Sequence, residues 1–149
     1  MSMPNETMDY WQRFQKKNGI KESFVDAYSF GDNPELADEL MKLVLTGKKT
    51  GTAALAIELE REGEKIPQVG DYNVILDGKG KPAGIIRTTS VVVKPFSEVQ
   101  EAFAYSEGED DCTLKSWRSE HWKLWTRLGF AMREDLLVIC ENFELVYPK

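Results

Sequence analysis

The chain is poor in the residues that build cross-links and metal centres. Only two cysteines occur, Cys112 and Cys140, there is no C-x-x-C pair, and His121 is the single histidine. A disulfide framework is excluded, because small stapled scaffolds carry four or more cysteines at close spacing. A zinc site would have to gather His121, both cysteines and a carboxylate from distant positions, and the spacing does not point to one. Long apolar runs are also missing. None approaches the ~18–20 residues of a membrane span. Met1–Asp9 is polar and acidic, unlike a secretory leader. The expected compartment is the cytoplasm, with free thiols and no membrane partner. Positive charge is in deficit as well: 19 Lys and Arg stand against 25 Asp and Glu, a net charge of −6. Such a surface repels an extended nucleic-acid duplex, since phosphate binding needs a basic field. A compact basic pocket remains compatible with it. No repeat, low-complexity tract or long linker interrupts the chain.

What is present is ordinary globular chemistry. The 149 residues are 42% hydrophobic and 30% charged, enough for one domain with a real core. Thr7–Asn18 reads as a helix capped by Thr7 and closed by Gly19, with Trp11 and Phe14 on its apolar side. Ser23–Phe30 reads as a short extended piece. A second helix follows, with Asn33 as N-cap, Pro34 at its first position, Leu36, Leu40, Leu43 and Val44 at helical spacing, and Gly47 at its end. Ala53–Leu59 then reads as a strand and Arg61–Lys65 as a charged turn. Tyr72–Leu76 and Ala83–Val93 form a hairpin across Asp77–Lys81. Ser97, with Gln100 three residues on, predicts a helix ending near Tyr105. Glu107–Asp111 reads as an acidic loop, whose consecutive carboxylates lack a defined spacing for a divalent cation. Thr113 leads a helix carrying Leu114, Trp117, His121, Leu124, Trp125 and Leu128. Leu136–Tyr147 is the last strand, with Leu137, Ile139, Phe143, Leu145 and Tyr147 predicted on one side. The expected class is α+β, a small mixed β-barrel decorated by helices.

The most informative stretch is Gly47-Lys48-Lys49-Thr50-Gly51-Thr52, at a helix-to-strand junction. Two glycines permit close approach of a ligand, lysine offers a charge or a base, and threonine offers a hydroxyl. It is no phosphate-binding P-loop, because G-x-x-x-x-G-K is absent and the turn follows a helix. A solvated helix end with Lys48 and Lys49 complementing the dipole is the alternative. Among the aromatics, Tyr28, Phe30 and Trp117 are candidate stacking surfaces for a base, although Trp117 and Trp125 also fit a core. His121 fits a packed, hydrogen-bonded side chain or a catalytic one.

The turn resembles the signature of the ASCH domain family, G-x-K-x-x-T-x-R, as Gly47, Lys49 and Thr52, with Ala54 where the arginine is expected. Phe30-Gly31-Asp32 before Glu35-Leu36-Ala37 looks like the longer bacterial members. So do Val69-Gly70-Asp71, the Ser106–Asp111 loop, and Leu114, Trp117, Arg118 and His121. The resemblance implies a PUA-like fold spanning residues 1–149 as a single domain, with a helical extension at about 7–18. It implies a cleft beside the Gly47–Thr52 loop that takes RNA or a nucleotide or modified nucleoside, with no cofactor. Family members are RNA-binding modules, ribonucleases or amidohydrolases of acetylated cytidine. In the last type the carry-over puts Lys49, Thr52 and Glu107 in catalytic positions, with Glu109 the rival for the glutamate. Thr52 would be the nucleophile and Glu107 an orienting or proton-giving group. Lys49 would take a proton if neutral or stabilise an oxyanion if charged. Arg87 or Arg118 would have to replace the missing arginine, and Tyr28, Phe30, Lys48 and Trp117 complete the expected ligand contacts. The sequence sets no oligomeric state.

Overall fold

The computed structural model describes residues 4–148. Five strands form one sheet: β1 (Asp26–Tyr28), β2 (Gly51–Leu55), β3 (Tyr72–Leu76), β4 (Pro82–Pro95) and β5 (Leu137–Tyr147), in the spatial order β1-β3-β4-β5-β2. The β1–β3 pair is parallel and the others are antiparallel. The sheet curls into a half-barrel, and five helices surround it: α1 (Asn5–Asn18), α2 (Pro34–Leu45), α3 (Ala56–Glu62), α4 (Glu101–Glu107) and α5 (Leu114–Arg127). The class is mixed α+β, a curled sheet decorated by helices, as the sequence predicts. Among the described residues no helix is long and apolar enough to cross a membrane.

Local chemistry sets the elements that frame the site. The Asn33 side chain accepts the Leu36 amide at 2.8 Å, and Pro34 opens α2. The β3–β4 turn closes on Asp77, whose Oδ1 accepts the amides of Lys79 and Lys81 at 2.8 and 3.0 Å. Alternation along β3 and β4 then sorts side chains between two faces. Tyr72, Val74 and Ile85 meet Trp11 and Phe14 of α1 on the outer face. Ile75 and Ile86 meet Leu40, Met41 and Val44 of α2 on the inner face, with Phe30 and Phe143. A third cluster sits under α5, where Trp117 and Trp125 pack with Leu55, Phe96 and Val138. Each fully buried side chain of this size contributes about 1.5–3 kcal/mol.

Several boundaries differ from expectation. Helix α1 starts at Asn5, two residues before Thr7, so Thr7 is a buried interior residue and not the cap. The Ala53–Leu59 strand stops at Leu55. From Ala56 the chain is helical, because Glu58 reaches back to accept the Leu55 amide at 3.1 Å and the residues that follow favour helix. Ser97 begins no α-helix. A 3-10 turn spans Phe96–Glu98, and Val99 is extended so that its side chain enters the core, leaving Gln100 to precede α4. Glu107 is the last residue of α4 and is buried, not part of a solvated loop. Along β5, Ile139, Phe143 and Leu145 share the inner face as predicted, but Tyr147 packs against Phe14 on the outer face, Leu137 is exposed, and Val138 to Glu141 are all buried because both faces of the sheet are covered there.

The closest backbone approach near the signature turn is at Gly108. Its φ is +68°, and a Cβ there would collide with the Lys48 carbonyl. Gly63 has a similar φ of +69° with open space around it. Gly108→Ala is therefore expected to lower stability by about 2–3 kcal/mol, and Gly63→Ala by only about 1 kcal/mol. Urea denaturation of both variants checks this; equal losses would mean that the contact with the Lys48 carbonyl is unimportant.

Candidate functional site

The Gly47–Thr52 turn is held from three sides. The amides of Lys48 and Lys49 both donate to the Leu43 carbonyl of α2, at 2.9 and 3.0 Å. The Thr50 amide donates to the Ser106 carbonyl of α4 at 2.7 Å. The Asn142 side chain of β5 donates to the Thr50 carbonyl at 3.0 Å and to Ser106 Oγ at 2.9 Å. With its backbone pinned this way, the turn sends Lys49 inward, and only 2% of that residue is exposed.

Lys49 Nζ is surrounded by acceptors. The Gly51 carbonyl lies at 2.7 Å, Glu109 Oε2 at 2.7 Å, Glu107 Oε1 at 3.3 Å and the Glu107 carbonyl at 3.4 Å. Every N–H of an ammonium finds a partner in this set, and no lone pair is left for a substrate. Glu107, equally buried, accepts the indole N–H of Trp117 and lies 3.2 Å from His121 Nε2. His121 Nδ1 is 2.8 Å from the Trp117 carbonyl. Both ring nitrogens thus face acceptors only, which requires a proton on each, so the ring is an imidazolium. The cluster holds two cations and two carboxylates within one hydrogen-bonded unit.

The charge balance shows in the proton affinities. Burial pushes the Glu107 carboxyl up, but Lys49, His121 and Trp117 together pull it down to about 2. Burial lowers the His121 affinity, yet its hydrogen bond to Glu107 and the attraction of that carboxylate outweigh burial and raise it. Burial raises Glu109, with Glu107 adding to the rise and Lys49 opposing it.

A cleft of about 650 Å³ opens on the inner face of the sheet. Thr52 and Ala54 of β2 point into it beside their cross-strand partners Glu141 and Ile139 on β5. Tyr28 and Phe30 line it with their rings at 90° and 5.5 Å, and Asn73 of β3 closes one side. Six carboxylates line the cleft, those of Asp26, Glu58, Glu62, Glu64, Asp71 and Glu141, against one cation, Lys65. Lys49 sits just behind this wall, 5.3 Å from the centre of the Phe30 ring.

Of the residues proposed from sequence, Lys49 and Glu107 meet directly, and Glu109 joins them. Thr52 stands in the cleft and makes no side-chain hydrogen bond to Lys49. Tyr28 and Phe30 line the cleft. The others lie elsewhere. Lys48 is exposed on the turn, outside the cleft lining. Arg87 follows the alternation of β4 onto the outer face, where it lies over Tyr72 at 5.9 Å. Arg118 donates to the carbonyls of Ser97 and Val99, at 2.8 and 3.2 Å, and ties that segment to α5. Neither arginine reaches the space left by Ala54. Trp117 offers no ring to a ligand: it is buried among Phe96, Phe103 and Trp125, stacks on His121 at 4.2 Å, and serves the site by donating to Glu107. Sequence reasoning missed Asn73 and Glu141. The available signal was a polar residue placed inside an apolar strand that is buried on both faces. Among the described residues, no group of three or more His, Cys, Asp or Glu side chains is placed to hold a metal ion.

The ion cluster fixes a pH signature. Glu107 has a lowered affinity in the folded state, so its contribution is present above the unfolded value near 4.5 and is lost as pH falls towards 2. His121 has a raised affinity, so its contribution is full below about 6.5 and is lost as pH rises through the folded value. Denaturation free energies measured from pH 2 to 9 should therefore peak between these limbs. Glu107→Gln should flatten the acid limb, which carries roughly 3 kcal/mol. An unchanged acid limb in that variant would show that other carboxylates carry it.

Comparison with known proteins agrees with this architecture. The crystal structure of protein EF3133 from Enterococcus faecalis V583, of the family model DUF984, matches at a TM-score of 0.87 and 34% identity, over 97% of this chain and 90% of that one. The ASCH domain from Lactobacillus crispatus JV V101 matches at a TM-score of 0.88 and 30% identity, over 99% and 98%. No protein of curated function matches the chain. The ASCH domain model matches residues 26–147, from the first strand to the end of the last, and the chain belongs to the ASCH domain family.

Proposed function

We propose that the protein binds a modified nucleoside, free or as an unpaired residue of RNA, with the base in the cleft beside the Gly47–Thr52 turn. ASCH domains are PUA-like and generally RNA-associated. The observation that carries the reading is the cleft itself. Its roughly 650 Å³ suits a nucleoside, it opens beside the family's signature turn, and it joins aromatic side chains to the hydroxyl of Thr52 and the amide of Asn73. Its carboxylates repel phosphate, so phosphate groups stay outside the lining and the base goes in. Binding calorimetry with nucleosides and their 5′-monophosphates tests this. A nucleoside is expected to bind at least as tightly as its monophosphate, and Thr52→Val or Asn73→Ala to weaken it about 10-fold, the worth of one buried hydrogen bond. Tighter binding of every monophosphate, or no nucleoside binding at millimolar concentration, would overturn the reading.

A hydrolytic reading has one specific observation in its favour. Lys49 and Glu107 form a buried ion pair directly behind the cleft wall, and Thr52 faces into the cleft. In an amidohydrolase of acetylated cytidine, Thr52 Oγ adds to the acetyl carbonyl and gives its proton to its cross-strand neighbour Glu141, which passes it to N4 as the C–N bond breaks and cytidine leaves; water then hydrolyses the acetyl ester on Thr52 to acetate. Lys49, its donors committed to the cluster, acts on the carbonyl oxygen only through the field of its charge, and Glu107 holds Lys49 in place. Incubation with N4-acetylcytidine and chromatography for cytidine checks it. Turnover should fall at least 100-fold in Thr52→Ala and in Lys49→Met, with circular dichroism confirming that the variants fold. Turnover that survives both substitutions removes these roles.

A further inference from the structure

The cleft carries a charge pattern that a neutral base leaves unanswered. Glu141 is 7% exposed and stands in mid-strand at its floor. Its Oε2 accepts the Thr88 hydroxyl at 2.6 Å, and no Lys, Arg or His of the described residues pairs with it. A carboxylate buried without a cation is costly, and structures normally supply a partner or more donors. Asn73 is 6% exposed on the same inner face, with a side-chain amide bonded to no other described residue. Tyr28 stands close enough to Glu141 and Asp26 for both carboxylates to act on its hydroxyl. Burial above all, with those carboxylates adding to it, raises its proton affinity and keeps it a hydrogen-bond donor. Burial raises the proton affinity of Glu141, the Thr88 hydroxyl opposes the rise and Asp71 adds to it, so the group lacks the cation that would hold it fully ionised. Ala54 leaves the signature's arginine position without a charge, so nothing on β2 neutralises this group.

We infer that the cleft is a site for a positively charged aromatic base, an N-alkylated cationic nucleobase, whose charge is met by Glu141 and Asp71 and whose ring lies against Tyr28. A flat cation answers both features at once: carboxylates take its charge and N–H donors, and an aromatic face takes its ring. A simple amine would meet the carboxylates and waste the aromatic wall. A neutral base would use the wall and leave Glu141 unpaired. The inference rests on the nucleoside reading above and narrows its ligand class.

The test is calorimetric titration at low salt with 1-methyladenosine and 7-methylguanosine, each beside its neutral parent, and with spermidine as a non-aromatic cation. The cationic nucleosides are expected to bind at least 10-fold tighter than adenosine and guanosine, and Glu141→Gln to reduce that ratio below about 3-fold. Glutamine still accepts the Thr88 hydroxyl. Should that variant fail to fold, Asp71→Asn is expected to reduce the ratio at least 3-fold. Neutral parents that bind as well as the cations overturn this inference and leave the nucleoside reading standing. Spermidine binding as tightly as the cationic nucleosides overturns it in favour of a general amine site. No binding by any nucleoside removes both readings.

Discussion

The buried contact between Lys49 and Glu107 is the constraint on which the site depends. Taking two charges out of water costs several kcal/mol each, and an ion pair repays that only when its remaining donors and acceptors are also met. Here they are. Lys49 spends its donors on Gly51, Glu107 and Glu109, and Glu107 receives Trp117 and His121 besides. The cluster therefore ties together four parts of the chain: the turn after α2, the end of α4, the Glu109 loop and the face of α5. The position of Thr52, three residues beyond Lys49, follows from that anchoring.

Strand parity then separates two jobs within one signature. Gly51, Ala53 and Leu55 turn towards α4 and α5, while Thr52 and Ala54 turn into the cleft. Lys49 lies before the strand and goes beneath the cleft wall, 5.3 Å from the centre of the Phe30 ring that lines the hollow. The ion cluster acts as the foundation and the alternate strand positions form the working surface. Ala54 therefore belongs to the cleft and not to the cluster, and it brings no cation to the carboxylates that line the hollow.

Much of this was legible in the sequence. Asn33-Pro34 announced α2, the Asp77–Lys81 turn announced the hairpin, and the order of family-like segments announced the fold. Those signals are local, or they are linear patterns. What could not be read was long-range. Glu107 looks solvated among its acidic neighbours, and only the packing of α4 against α5 shows that it lies beside Trp117 and Lys49. Arg87 is one residue from Thr88, yet the pleat sends the two to opposite faces. Asn73 and Glu141 come from strands distant in sequence and meet only because β3, β4 and β5 curl around the same hollow.

The hydrogen bonds around Lys49 also decide what chemistry the site can perform as it stands. A lysine acting as a base needs a free lone pair, and this one is committed through its N–H groups to four acceptors. Of these, the Gly51 and Glu107 contacts belong to pinned backbone and a buried side chain, whereas Glu109 is partly exposed and sits on a loop. That loop is itself held in uncommon geometry, with Asp110 and Cys112 at φ values of 53° and 64°. Glu109 is thus the partner least tied to buried structure. As long as it stays, Lys49 is the buried cation of the cluster and has no free donor or lone pair for a molecule in the cleft. Direct contact between Lys49 and a molecule in the cleft therefore requires the Glu109 loop to move first.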